Sequence, residues 1–358
     1  MKIPLQSNPD SLTKKFLNLI GSPFIDNTNV NFEFTGLDSQ DISKLYDYAI
    51  KNRMVLHFLE SLKKANKLVG SMKTEYDRLI IKYADTNDVI QRASNVLDKT
   101  GAQYALFKSV RPYEEVTVDI DVLVFGNEFD YGKVISTLYQ EDYDFLGDGP
   151  LSKTFRDRIG RVGLDIYYEV GVSHIIYMNK DNFKSVVSKR KIRESQFALS
   201  LSPTADLLAV IAHSVIKEQM YVLSEYYTTL YYLADMKDEE LKLFLDLADR
   251  CKLTLAVKTH LGITALLHYR AHGSIPNSLI KLLKVMGVNP LELSRIEEKG
   301  LLIPYKYHPI TIIRALFEKF REHKARRSLA KQLYSLLNIN FTSSFIEDLL
   351  KHINREAY

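Results

Sequence analysis

The chain has 358 residues, of which 46% are hydrophobic and 26% charged, with one cysteine and a net charge of +4. This composition excludes a disordered, collagen-like or low-complexity chain and predicts two or three structural units with a buried core. The single Cys251 excludes an internal disulfide and a cysteine-rich zinc site. No segment approaches the roughly 18 apolar residues of a membrane span, and the first residues lack a signal-peptide pattern. We therefore expect a cytoplasmic protein with no membrane partner.

Hydrophobic spacing predicts an α+β fold, in which a small unit of mixed sheet and helices lies between two helical regions. Residues 1–100 predict helices near 9–20, 39–70 and 72–99, with Gly101 ending the last. Residues 101–180 predict strands at 104–107, 116–125, 152–158 and 162–170, and a helix at 129–141. Residues 181–358 predict helices near 203–218, 221–236, 238–251, 253–272 and 310–337.

Two carboxylates stand one residue apart in the most strand-like of these segments. Asp119 and Asp121 point to the same side of the strand because side chains alternate. Burying such a pair is costly unless a cation neutralises it, and carboxylate oxygens suit Mg²⁺ or Mn²⁺. Asp165 lies on the polar face of a later strand, and three carboxylates on adjacent strands can hold two metal ions.

Each of these observations has a second interpretation. Asp119 and Asp121 could be solvent-facing acids of an edge strand, which are more common than metal sites. Asp165 could pair with a nearby arginine: Arg156, Arg158 or Arg161. The order of the segments favours the metal site, because a polar loop precedes the Asp-x-Asp strand and a helix separates it from the third aspartate.

This order resembles the polymerase-β-type nucleotidyltransferase superfamily, whose signature is a Gly-Ser loop, an Asp-x-Asp strand and a third carboxylate on a nearby strand. The matching segments are LeuPheLysSer at 106–109, ValAspIleAspValLeuVal at 118–124 and GlyLeuAspIleTyr at 163–167. A branch with helical regions on both sides of the palm is the most similar. The resemblance implies a nucleotidyltransferase palm at 101–180, between an N-terminal helical region at 1–100 and a basic C-terminal helical region at 181–358.

The resemblance also implies an activity: transfer of a nucleoside monophosphate from an NTP to an acceptor hydroxyl, with release of pyrophosphate. Asp119 and Asp121 would ligate the Mg²⁺ or Mn²⁺ ions that bridge the nucleotide phosphates. Asp165 would ligate the catalytic metal and help to deprotonate the acceptor.

Nucleotide binding would fall to residues around the first strand and in a later helix. Ser109 would hydrogen-bond a phosphate, and Lys108 or Arg111 would neutralise the triphosphate. His213 and Lys217 lie one turn apart in the helix that follows Ser202, so they are further candidates. For His213, a histidine buried in the core is the alternative.

The chain departs from the family pattern in the loop. Lys108 stands where a glycine is expected, and a glycine lets the backbone approach a phosphate closely. Glu114 and Glu115 add two acids, which we expect to weaken the binding of a triphosphate. The alternative function is therefore a catalytically degenerate module that binds nucleic acid or a partner protein.

The second half of the chain is basic, since residues 180–358 carry 27 Lys and Arg against 19 Asp and Glu. The basic residues concentrate at 184–193 and 306–331. In the second segment an apolar stripe is predicted to be buried: Ile313, Leu316, Phe317, Phe320, Leu329 and Leu333. An RNA 3′ end such as that of tRNA is the acceptor this favours, with a protein or a small molecule also open. An ordinary solvated surface is the alternative.

Overall fold

The computed structural model describes residues 9–25, 37–288 and 303–354. Parts of the predicted helical regions, at 1–8, 26–36, 289–302 and 355–358, lie outside the described residues. The described chain is α+β, with 13 α-helices and a mixed seven-stranded sheet, which confirms the predicted class. Among the helices of these ranges, none is both long and apolar enough to cross a membrane.

The first 100 residues are helical, as predicted. The helices are α1 (Pro9–Ile20), α2 (Ser39–Lys51), α3 (Val55–Lys64) and α4 (Ser71–Thr100). Gly101 ends α4 with a φ of 67°, in the left-handed region that favours glycine. The segment predicted as one helix at 39–70 is two, because the chain turns at Arg53, whose φ is 57°.

The large sheet is built from seven strands, with one helix between its second and third strands. The strands are β1 (Tyr104–Phe107), β2 (Asp119–Val124), β3 (Tyr143–Asp148), β4 (Ser152–Asp157), β5 (Gly163–Tyr167), β8 (Val187–Arg193) and β9 (Gln196–Leu201), and α5 (Glu128–Gln140) follows β2. Their order is β3-β4-β5-β2-β1-β9-β8. Only the pairs β2–β5 and β1–β9 are parallel among these neighbours. Two short strands, β6 (Val170–Val172) and β7 (Ile175–Met178), form a separate hairpin.

Three strands of this sheet were not predicted from the sequence. They are β3, β8 and β9, and the last two continue the sheet beyond residue 180 to Leu201. β8 is an edge strand with the sequence ValSerLysArgLysIleArg, and lysines on an edge strand discourage pairing with another chain. Its charge concealed its strand character, because a basic run without apolar alternation gives no period-two signal.

The chain after the sheet is again mainly helical, as predicted. Its elements are α6 (Pro203–Ala212), a π-helix (His213–Glu218), β10 (Met220–Tyr221), α7 (Leu223–Asp235), α8 (Asp238–Arg250), α9 (Thr254–His272), α10 (Asn277–Val285), β11 (Tyr305–Lys306), α11 (Pro309–Lys319), α12 (His323–Ser335) and α13 (Ile339–Asn354). The segment predicted as one helix at 310–337 is thus two helices, α11 and α12.

The predicted burial of the basic C-terminal segment is partly wrong. Three members of the predicted apolar stripe are 51%, 70% and 58% exposed: Ile313, Phe317 and Leu333. Lys319 is instead fully buried, and its Nζ donates a hydrogen bond of 2.8 Å to the carbonyl oxygen of Cys251. A lysine can replace an apolar residue on the inner face of a helix when a backbone acceptor lies within reach.

The sheet is covered on both faces. Apolar residues of α4 and α5 pack against Ile120, Val122 and Val124 of β2, which confirms the predicted alternation in this strand. On the other face, Leu123 belongs to the core formed with α6 to α9 and the N-terminal helices. The polar start of β2, at Asp119 and Asp121, therefore lies where the helical cover ends.

Glu115 connects the loop between β1 and β2 to the N-terminal helices. Its carboxylate accepts hydrogen bonds from the backbone N–H groups of Leu56 (3.3 Å), His57 (3.4 Å) and Val116 (3.1 Å), so it caps the first turn of α3. Glu115 is buried, and burial raises its pKa to about 7. This acid, expected from the sequence to oppose a triphosphate, serves to fix the loop.

Because the pKa of Glu115 rises from 4.5 to about 7 on folding, the folded protein binds more protons between these values than the unfolded chain does. Its contribution therefore lowers the free energy of unfolding as the pH rises through this range. Between pH 5 and pH 8, we expect the free energy of unfolding to fall by about 3 kcal/mol more in the wild type than in Glu115→Gln. Urea unfolding of both proteins at the two pH values measures this difference, and parallel pH profiles would contradict it.

Candidate active site

The parallel pairing of β2 with β5 brings the three predicted carboxylates together. Asp121 lies directly opposite Asp165 in the register, and Asp119 lies opposite Gly163. Neighbouring strands are about 4.8 Å apart, so the side chains of paired residues on one face are adjacent. None of the three arginines considered as partners of Asp165 forms an ion pair with it in the described structure.

Gly163 makes room for Asp119. A Cβ atom built on Gly163 would lie 2.3 Å from Oδ1 of Asp119, far closer than two such atoms can approach. The carboxylate of Asp119 therefore lies over the backbone of β5, the strand that also carries Asp165. Any larger residue at 163 would therefore require the carboxylate of Asp119 to move.

The three carboxylates form an acidic cluster in which Asp119 is exposed and the side chain of Asp121 is 14% exposed. Burial raises the pKa of Asp119, and the charges of Asp165 and Asp121 raise it further. Burial and the charge of Asp121 also raise the pKa of Asp165, while a hydrogen bond from Thr154 Oγ1 to its Oδ1 (2.6 Å) acts in the opposite direction. The cluster thus favours the approach of a cation.

Lys108 supplies a cation to this cluster. Its Nζ lies 3.2 Å from Oδ2 of Asp121 and 3.1 Å from Nδ1 of His213, and its side chain is only 10% exposed. Burial lowers the pKa of Lys108, and the charge of Asp121 partly offsets this. Lys108 therefore lies at the site with a carboxylate as its partner, and its predicted contact with a triphosphate stays a prediction.

The backbone of Lys108 adopts a conformation that favours glycine. Its φ is 61°, in the left-handed region that costs a non-glycine residue about 1–2 kcal/mol. The strain is held by a hydrogen bond of 2.6 Å from the backbone N–H of Lys108 to Oδ1 of Asp206. Asp206 is itself fixed by Arg190 (3.0 Å) and by the hydroxyl of Tyr232 (2.5 Å).

Ser109 ties the loop to β2. Its Oγ donates to the carbonyl oxygen of Phe107 (3.1 Å) and accepts from the backbone N–H of Asp121 (2.8 Å). Ser109 is 4% exposed. In this structure it fixes the strand that carries the carboxylates, and its predicted contact with a phosphate stays a prediction.

The π-helix brings His213 and Lys217 to the site. His213 contacts Lys108, and its Nε2 lies 3.2 Å from Oε1 of Glu218. Burial lowers the pKa of His213 to about 3, so the imidazole is neutral. The charge of Lys217 lowers the pKa of both Asp119 and Asp165, which places its ammonium on the side of these acids. π-Helical turns occur frequently at functional sites.

Arg111 is not brought to the carboxylates. Its guanidinium donates to Oγ1 of Thr228 on α7 (3.0 Å) and interacts with the charges of Glu225 and Glu115. Conversely, Asp206 and Glu218 support the site but were not singled out in the sequence. Glu218 could have been found from its place beside Lys217, whereas nothing local distinguishes Asp206.

The donors at the site fit a hard divalent cation in their chemistry, because they are carboxylates drawn together against their mutual repulsion. Within the three described ranges, however, no three His, Cys, Asp or Glu side chains are arranged to hold a metal ion. The ammonium of Lys108 takes the position beside Asp121 instead.

The chain was compared with known proteins. No protein-family model matches it, and no curated protein matches its sequence. The interpretation of the site rests on its own geometry.

Two isosteric substitutions should change stability in opposite directions. Asp119→Asn removes a repelling charge at an exposed position that solvent screens, and we expect a stabilisation of less than about 1 kcal/mol at neutral pH in the presence of EDTA. Asp121→Asn leaves Lys108 buried without its carboxylate, and we expect a loss of about 3 kcal/mol. Chemical unfolding of both variants measures this, and a shift of the same sign in both would contradict it.

Proposed function

We propose that the chain is a metal-dependent nucleotidyltransferase, which transfers a nucleoside monophosphate from an NTP to an acceptor hydroxyl and releases pyrophosphate. The observation that carries the proposal is the in-register pair Asp121 and Asp165 on parallel strands, with Asp119 turned towards them. Acidic clusters of this kind hold the metal ions of many enzymes that act on phosphate esters.

The residues of the site have distinct roles in this proposal. Asp119, Asp121 and Asp165 would hold Mg²⁺ or Mn²⁺, which, when bound, would neutralise the phosphates and lower the pKa of the attacking hydroxyl. Asp165 would receive the proton of that hydroxyl. Lys217 and Lys108 would bind phosphate oxygens and stabilise the charge that develops on the leaving pyrophosphate.

The acceptor we favour is an RNA 3′ end, on the basis of exposed cations. Lys189 and Lys191 are exposed on the edge strand β8, while Arg190 and Arg193 are engaged by Asp206 and Asp88. Further exposed cations lie on α11 and α12: Arg314, Arg326, Arg327 and Lys331. These cations would bind RNA phosphates without regard to sequence.

One observation favours a second candidate, a catalytically degenerate module that binds nucleic acid or a protein. Lys108 neutralises Asp121 within the chain itself, and a site that has lost its metal would require such a replacement. The two candidates differ in whether an NTP is turned over.

Incubation of the purified protein with each α-³²P-labelled NTP, Mg²⁺ or Mn²⁺ and total cellular RNA tests the proposal. We expect label to enter RNA with the wild type, and Asp165→Asn to reduce the rate at least about 100-fold because the acceptor loses its base. The matched control is Asp144→Asn, which makes the same change on the edge strand β3, where Asp144 pairs with Arg158. The control should retain the wild-type rate.

Label in a protein or small-molecule fraction would support the nucleotidyltransferase activity with a different acceptor. Absence of label with every NTP, together with absence of metal-dependent NTP binding in calorimetry, would overturn the proposal in favour of the binding module. An equal loss of rate in both variants would show that the effect of Asp165→Asn is not specific to the site.

A further inference from the structure

Lys108 is held at Asp121 by a chain of buried polar groups. Oε1 of Glu218 lies 3.2 Å from Nε2 of His213, and Nδ1 of His213 lies 3.1 Å from Nζ of Lys108. Nζ of Lys108 is in turn 3.2 Å from Oδ2 of Asp121. The side chains of all four residues are between 10% and 15% exposed.

The directions of these hydrogen bonds follow from the chemistry of the groups. A carboxylate only accepts, so the proton of the neutral imidazole is assigned to Nε2, facing Glu218. Nδ1 of His213 then accepts hydrogen bonds: the ammonium of Lys108 donates to it (3.1 Å) and to Asp121, and the hydroxyl of Tyr177 lies farther from Nδ1, at 3.4 Å. Glu218 thus sets the tautomer that makes His213 an acceptor for Lys108.

The ammonium of Lys108 and a divalent cation would require the same oxygens. Asp121 is the central acid of the cluster, being next but one to Asp119 on β2 and opposite Asp165 on β5. A metal ion can bind Asp121 in one of two situations. Either the ammonium of Lys108 remains in place at about 3 Å, or it has moved away. Two positive charges at such a distance repel strongly in a partly buried site.

We propose that Lys108 is a positioning residue for the metal: held by His213, it occupies the cation position at Asp121, and a divalent ion binds there only when the ammonium moves to a nucleotide phosphate. This inference rests on the proposed function, because it takes the metal and the NTP as ligands of the site. Metal and nucleotide then bind cooperatively, since each is favoured by the displacement that the other requires.

The expected signature lies in Mn²⁺ affinity, not in turnover. In the wild type, Mn²⁺ alone should bind weakly, and a non-hydrolysable α,β-methylene NTP analogue should increase its affinity at least about tenfold. In Lys108→Met, Mn²⁺ alone should bind at least about tenfold more tightly than in the wild type, and the analogue should add little. Electron paramagnetic resonance of free Mn²⁺ measures the affinity in each case.

Two further variants separate positioning from net charge. His213→Phe removes the acceptor of Lys108 without changing the charge of the site, and it should also increase the affinity for Mn²⁺ alone. Lys153→Met removes one positive charge from β4, where Lys153 pairs with Asp148, and it should leave the Mn²⁺ affinity unchanged. His213→Phe also provides a test should Lys108→Met fail to fold.

The inference is overturned if neither Lys108→Met nor His213→Phe binds Mn²⁺ more tightly than the wild type, or if none of the proteins binds Mn²⁺ with the analogue present. It is also overturned if Lys153→Met reproduces the gain of affinity. The transferase assay is read separately at saturating Mn²⁺. Tight Mn²⁺ binding by Lys108→Met without transfer by the wild type would therefore leave the inference intact and count only against turnover of the NTP.

Discussion

Repulsion between Asp121 and Asp165 is the constraint around which the site is organised. Their parallel strands fix them side by side, so the backbone cannot relieve it. Two cations offset the repulsion. Lys108 contacts Asp121, and the charge of Lys217 lowers the pKa of Asp119 and Asp165. Burial and, to a smaller extent, the charge of Lys108 lower the pKa of His213, so that a neutral imidazole faces the ammonium. A large part of the local structure thus serves to place one positive charge.

The same constraint separates the two faces of β2. Ile120, Val122 and Val124 pack against apolar residues of α4 and α5, which anchors the strand. On the acidic face the helical core stops before Asp121, and the polar contacts of Ser109 take its place. The strand is therefore held by apolar burial on one face and carries the carboxylates of Asp119 and Asp121 on the other.

Much of this arrangement could be predicted from the sequence, because it depends on the two-residue period of strands. Alternation placed Asp119 and Asp121 on one side, and Asp165 followed from the polar face of a second strand. Loop side chains could not be predicted in this way. Arg111 turns to Thr228, 117 positions further along the chain, and Glu115 turns to the N–H groups of α3. Such partners are set by tertiary packing, and charge alone does not indicate them.

Helix α6 holds Lys108 at both of its ends. Asp206, in the first turn, receives the backbone N–H of Lys108, and His213, directly after the last turn, receives its ammonium. The seven-residue separation of these anchors spans about 10 Å along a helix. One helix therefore fixes both the backbone and the ammonium of a single loop residue. The residues of this helix from Thr204 to Ala212 are buried, and inserting or deleting one of them would shift one anchor by about 1.5 Å and turn it by about 100°.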